Sequence, residues 1–239
     1  MDNTVYVGLS RQMLLRRELD IIANNIANAD TVGFKVESLM ARTAPGAPAM
    51  TAGAPRPVKF VLDAGVARDF TQGSLQTTGS DFDLGLEGEG FFEINTAAGP
   101  RYTRDGGFRL DELGRIVTQD GDPVAGDGGG DIVINPEDGE VNIAPDGTVS
   151  QGENIIGQVA VVRFDDLSVL EKAGDNLLRN TSNLDPQAAP DVRVRQGMLE
   201  SSNVKPILEI TRMIEVTRAY ESITRMMEST QDLSRRAVE

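Results

Sequence analysis

Residues 4–29 read TVYVGLSRQMLLRRELDIIANNIANA. Leu15, Leu19, Ile22 and Ile26 recur at steps of 4, 3 and 4, an apolar seam of heptad type. Val5, Leu9 and Met13 extend that face less regularly. The spacing predicts one long helix, with Asn3 or Thr4 able to cap its start and Asn28, Asp30 and Gly33 stopping it. About 25 residues at about 1.5 Å each make a rod of about 38 Å. Asn is a mediocre helix former, so Asn24, Asn25 and Asn28 invite two readings. They cap the last carbonyls, or they hydrogen-bond across a helix–helix interface, with Asn24 and Asn28 sharing a face.

Residues 203–235 predict a second long helix, with caps at Ser201, Ser202 or Asn203 and Pro206 in the first turn, where its missing N–H costs nothing. Ile207, Ile210 and Ile214 form one stripe. Val216, Tyr220, Ile223 and Met227 continue it at steps of 4, 3 and 4. Glu221 and Arg225 are an i,i+4 pair in the favourable order.

Between the predicted helices the composition changes. The chain of 239 residues carries 37 Asp+Glu against 23 Lys+Arg, a net charge of −14. Residues 1–35 hold four basic and four acidic residues, and 196–239 hold six and seven, which leaves 13 basic and 26 acidic residues in the middle. Of 25 glycines, only Gly8, Gly33 and Gly197 lie outside that middle. Residues 41–57 are rich in Ala, Pro, Gly and Thr and read as a linker or extended arm. From there to about 196 the pattern is β-rich, with candidate strands at 58–62, 91–95, 115–119, 132–135, 141–144 and 158–164. Asp105-Gly106-Gly107, Asp120-Gly121 and Asp146-Gly147 mark turns between them. Gly114–Gly121 and Gly147–Gly152 echo one another as two hairpins of similar design.

The expected fold is α+β. The long N- and C-terminal helices pair as a coiled-coil, with an inserted β-rich domain and an extended arm. The expected boundaries are 1–35 for the N-terminal helix of an inner coil, 36–71 for the arm, 72–196 for the outer β-rich domain and 197–239 for the C-terminal helix. A two-helix coil buries little apolar surface by itself, which points to assembly with other chains.

Composition also excludes classes of chemistry. With no Cys and no His there is no disulfide, thiolate site, cysteine nucleophile or His-based triad. The acidic balance opposes nucleic acid. No run approaches the length of a membrane span, and no cleavable signal is expected at the start. Residues 120–131 (DGDPVAGDGGGD) invite a calcium-loop reading, but from Asp120 the fifth position is Val124, and from Asp127 the third is Gly129. Asp81/Asp83 and Glu87/Glu89 each share a strand face, as a two-carboxylate glycosidase would need, yet no Trp offers a sugar platform. Gly85–Gly90 lacks the Lys-Ser/Thr of a phosphate loop.

The segment Ala23-Asn24-Asn25-Ile26-Ala27-Asn28-Ala29-Asp30-Thr31-Val32-Gly33-Phe34-Lys35 resembles the N-terminal signature of bacterial flagellar rod and hook proteins. Gln72–Gly79, then Asp83–Phe92, are similar to the same family's central motif, with Phe82 and Gly85 departing from the usual Leu and Ala. Tyr102–Phe108 and Gly114–Thr118 continue the pattern. Leu199–Val204 and Met213–Glu221 match its C-terminal motifs, with Thr217 in place of a common Gln.

The resemblance implies a non-enzymatic axial subunit of the flagellar basal-body rod, since hook subunits carry large extra domains. Tyr6–Met13 is most like the proximal-rod members, with the distal-rod members as the alternative. The resemblance further implies torque transmission, enclosure of the export channel, and passage through the flagellum's own secretion apparatus to the periplasmic space. The implied partners are other rod subunits, proximal and distal, and copies of the chain itself, with no cofactor, no metal and no insertion into a membrane. The residues expected at assembly interfaces are Leu15, Leu19, Ile22, Asn24, Asn25, Ile26, Asn28, Gly33, Phe34, Asn203, Ile207, Ile210, Ile214, Tyr220, Ile223 and Met227. The competing classes are a secreted calcium-stabilised β adhesin and a glycosidase acting through Asp83.

Overall fold

The structure, a computed structural model, describes residues 2–43, 61–182 and 184–236. Residues 44–60 of the expected arm, and with them the first three positions of the expected strand 58–62, lie outside the described residues. The chain divides into two compact units, one of residues 1–29, 36–69 and 204–239, the other of 30–35 and 70–203.

The first unit holds helix α1 (Asp2–Ala27), strands β1 (Glu37–Thr43) and β2 (Val61–Arg68), and helix α2 (Pro206–Arg236). α1 ends where the sequence turns to Asn: the Asn28 backbone N–H and its Nδ2 both donate to the Asn24 carbonyl. α2 starts at Pro206, later than the expected caps at 201–203, and the amides of Leu208 and Glu209 donate to the Lys205 carbonyl. β1 and β2 pair antiparallel from Glu37↔Arg68 to Thr43↔Val61, with a bulge between Leu39 and Ala41. Arg68 Nε lies 2.9 Å from Glu37 Oε1 across the end of that ladder.

The expected fold class needs correction. Among the described residues the chain is strand-rich, with two helices against seventeen strands in six sheets. The terminal helices do not form the long coiled-coil that their heptad spacing predicted. They share a small cluster of Leu15, Ile22 and Val216, edged by Leu19, Ile26, Met213, Ala219, Tyr220 and Ile223. The stripe meant to prolong that seam faces away, with Ile207 80% exposed and Ile210 and Ile214 about half exposed. A supercoil needs knobs in holes along its whole length, and polar and exposed positions interrupt this contact.

The second unit holds β3 (Leu75–Thr77), β4 (Leu84–Glu87), β5 (Phe91–Thr96), β6 (Gly99–Thr103), β7 (Arg109–Leu110), β8 (Ile116–Val117), β9 (Val141–Ile143), β10 (Thr148–Gln151), β11 (Asn154–Gln158), β12 (Val161–Arg163), β13 (Leu170–Gly174), β14 (Leu177–Asn180), β15 (Gln187–Ala188), β16 (Arg193–Gln196) and β17 (Met198–Glu200). Its largest sheet runs β13-β14-β6-β5-β12-β15, and β9, β10 and β11 form a three-stranded meander. The C-terminal strands return to early ones: β16 pairs with β4 and β17 with β3, both antiparallel.

Side-chain alternation on β5 builds two cores from one strand. Phe92 and Ile94 join Leu84, Leu86, Phe108, Ile116, Val124, Val149 and Val194 on one face. Phe91 joins Tyr102, Val162, Leu170 and Leu178 on the other, with Phe70 and Phe164 edge-on to its ring. The hairpin turn at Asp146-Gly147 forms as its residues require, with Gly147 at φ +86° and the Thr148 amide on Asp146 Oδ1. Residues 132–135 make no regular strand. Ile132 and Ile134 are buried, isolated bridges at Asp131 and Val133 tie that stretch to its neighbours, and the Gln151 side chain holds the Asn135 backbone.

Candidate functional site

In the first unit the apolar periodicity places Leu15 and Ile22 in the buried cluster, with Leu19, Ile26, Tyr220 and Ile223 at its edge. Ile22 is 4% exposed within the single chain, so its burial does not wait for assembly. Gly8 allows close approach of Met227, whose Cγ would lie 3.0 Å from an added Cβ. Gln12 Nε2 donates to Thr224 Oγ1 at 3.2 Å.

Of the three asparagines, Asn25 makes bonds across elements. Its side chain has no exposed surface. Asn25 Nδ2 donates to Glu209 Oε2 on α2 at 2.9 Å and to the Glu37 carbonyl at 2.7 Å, while its Oδ1 accepts the Glu37 amide at 2.9 Å. One amide thus pins α1, β1 and α2 together. Glu209 is itself buried and also takes Arg212 Nη1 at 3.2 Å. Asn25→Ala should therefore strip partners from a buried carboxylate and two partly buried backbone groups, at about 3 kcal/mol in urea unfolding.

In the second unit Gly33, Phe34 and Asn203 meet a group that the sequence reading did not single out. Glu200, fully buried, lies between two buried cations: Lys35 Nζ is 2.5 Å from its Oε1 and Arg104 Nη1 is 3.1 Å from its Oε2. The Gly73 amide also donates to Oε1, at 2.8 Å. Lys35 Nζ donates further to the Thr71 carbonyl, and Arg104 Nη2 to the Gly88 carbonyl, each at 2.7 Å. The Arg104 guanidinium sits 5.3 Å from the centre of the Phe91 ring. Burial pulls the Arg104 pKa below its ordinary value, opposed by the charge and hydrogen bond of Glu200.

Backbone ties surround these charges. The Gly33 amide donates to the Glu200 carbonyl at 2.7 Å, and the Asn203 amide to the Phe34 carbonyl at 3.4 Å. Asn176 Nδ2 holds the Val32 carbonyl at 2.7 Å. A Cβ on Gly33 would sit 2.4 Å from the Arg104 carbonyl carbon, and one on Gly73 would sit 1.9 Å from the Ser201 oxygen. Lys35 lies at the end of the N-terminal motif and Glu200 near the start of the C-terminal one. Nothing local says that residues 165 positions apart meet.

Three of the carboxylates weighed for other chemistry have partners of their own. Arg195 donates to Glu87 Oε2 at 2.6 and 2.8 Å, and Thr78 Oγ1 to Asp83 Oδ2 at 2.6 Å. In the stretch 120–131, Asp131 pairs with Arg115. Among the described residues no three acidic side chains gather as a metal site would require, and no described helix is long and apolar enough to cross a membrane. The Asp105 carboxyl is pushed up by burial, with the Gly107 amide opposing and Asp83 and Asp120 adding to the rise.

Lys35, Arg104 and Glu200 each fall inside a different segment that known families share. A flagella basal body rod protein model matches residues 5–35. The D1 domain model of the flagellar hook protein FlgE/F/G matches 85–151, and the C-terminal model of the flagellar basal body rod FlgEFG protein matches 195–239. The flagellar basal-body rod protein FlgF of Caulobacter vibrioides is 58% identical over all of this chain and 98% of its own length. FlgF of Mesorhizobium japonicum is 35% identical over all of this chain and 97% of its own length. FlgG of Bacillus subtilis is 32% identical over 98% of this chain and 97% of its own length. The chain belongs to the flagellar basal-body rod protein family. It is a structural rod protein, similar from end to end to the FlgF members.

Proposed function

We propose that this chain is a proximal-rod subunit that assembles with other rod subunits and copies of itself, transmits torque from motor to hook and helps enclose the export channel. The observation that carries the proximal position is the 58% identity to a FlgF protein over the full chain, against 32% to a FlgG protein. The chain reaches the periplasmic space through the flagellar export apparatus and performs no catalysis. Residues 1–35 and 197–239 form the inner layer, 72–196 the outer β-rich part, and 36–71 an arm that docks on neighbours. The exposed stripe Ile207, Ile210 and Ile214, with Met13 on α1, supports an inner layer completed by adjacent subunits. Such contacts are heterologous and do not close on themselves, as a tubular assembly needs.

Deletion of the gene tests this reading. The deletion strain should fail to swim in soft agar, and its purified basal bodies should lack a completed rod until a plasmid copy restores both. Swimming and complete rods in the deletion strain would overturn the assignment.

A further inference from the structure

The buried ions join the two places where the chain enters and leaves the β-rich unit. Lys35 lies in the entering segment 31–35 and Glu200 in the leaving segment 199–203. The partners of these two segments interlock: Gly33 with Glu200, Phe34 with Asn203, Ser201 with Ser74. The Glu200 carboxylate is shared by two cations from different segments, all three side chains being at most 5% exposed. Burial of hydrogen-bonded ions contributes little net stability, but removing one partner leaves a buried charge uncompensated. Such a cluster penalises every partly assembled state.

We propose that Lys35–Glu200–Arg104 is a coincidence lock on folding, which lets the β-rich unit close only when residues 31–35 and 199–203 are both in place. Before residue 200 arrives, closing the sheets around Arg104 and Lys35 buries two like charges together. The unit stays open until the carboxylate that both share is delivered. The use of such a lock rests on the proposed export route. A chain threaded through a narrow channel from either end delivers one of the two segments last, so an incompletely passed chain stays loose.

The test uses the purified full-length protein and the variants Lys35→Met, Glu200→Gln and the double variant. Glu200→Gln should lower the folding equilibrium constant by more than about tenfold in urea titration. It should also cut hydrogen-exchange protection of the Gly33 amide, which bonds the backbone and not the carboxylate of residue 200. Adding Lys35→Met to Glu200→Gln should recover about tenfold of the loss, because one of two repelling cations is gone. A role confined to lost contacts predicts the opposite, a double variant weaker than Glu200→Gln, and that result overturns the lock. Should Glu200→Gln fail to fold, recovery of the strand signal in circular dichroism by the double variant is the expected result, and its absence overturns the lock equally. Because these measurements need no secretion, they speak to the lock alone. A block in secretion of the wild-type chain would speak to the export route alone.

Discussion

Gly33→Ala should lower the thermal unfolding midpoint of the β-rich unit by about 10–20 °C. Two costs combine. At φ +66° an alanine is strained by about 1–3 kcal/mol. Its Cβ would also meet the Arg104 carbonyl carbon at 2.4 Å and the Asp105 nitrogen at 2.5 Å, both backbone atoms held by their neighbours. Forcing them apart costs about 1–3 kcal/mol more, and it spreads the entering segment from the shared carboxylate. Gly152→Ala separates the two costs. Gly152 has φ +58° and nothing within 4 Å of an added Cβ, so it should show the strain alone. Differential scanning calorimetry of both variants checks the argument. Equal shifts for the two would mean that close approach to Arg104 carries no weight.

Ile22→Asp should abolish swimming while leaving the β-rich unit folded. Ile22 is 4% exposed beside Leu15 and Val216, so the new carboxylate would be buried without a partner. That costs about 4 kcal/mol, enough to open the contact between the helices. The strands belong to a unit with its own two cores, and their circular dichroism signal should persist. Ile22→Val, which removes one methyl group, should cost only about 1 kcal/mol and leave motility intact. Soft-agar swimming, paired with the amount of the protein in purified rods, reads the result. An Asp variant that swims and appears in rods at the normal amount would contradict the placement of Ile22.

The helical ends were legible because 3.6-residue periodicity is local: α1 and α2 lie close to the expected 4–29 and 203–235. Their partnership was misjudged because a heptad seam states which face is apolar and not what covers it. Ile207 and Ile210 carry the same pattern as Leu15 and Ile22 and remain exposed. In the β-rich region the turns at Asp146-Gly147 and the strand at 91–95 were readable from glycine chemistry and alternation. The pairings β4–β16 and β3–β17 were not, because they join segments more than a hundred residues apart and no local residue type encodes the register. The same holds for Glu200: only the fold names Lys35 and Arg104 as its partners. The sequence singled out Asn24, Asn25 and Asn28 alike, and Asn25 is the one buried against β1, because which asparagine turns inward depends on where that strand returns.

The consecutive phenylalanines of β5 have a bearing on copying fidelity. An assembly that repeats one chain repeats any misfolded copy as a fault in its wall, so errors are best rejected before a subunit is added. Phe91 and Phe92 serve opposite cores, with Glu93 next along the strand. A slip of one residue against β6 would turn Glu93 toward the larger core and lift Phe92 out of it. The misaligned strand is then unstable by several side chains at once, and β5 proofreads its own alignment before the subunit is used.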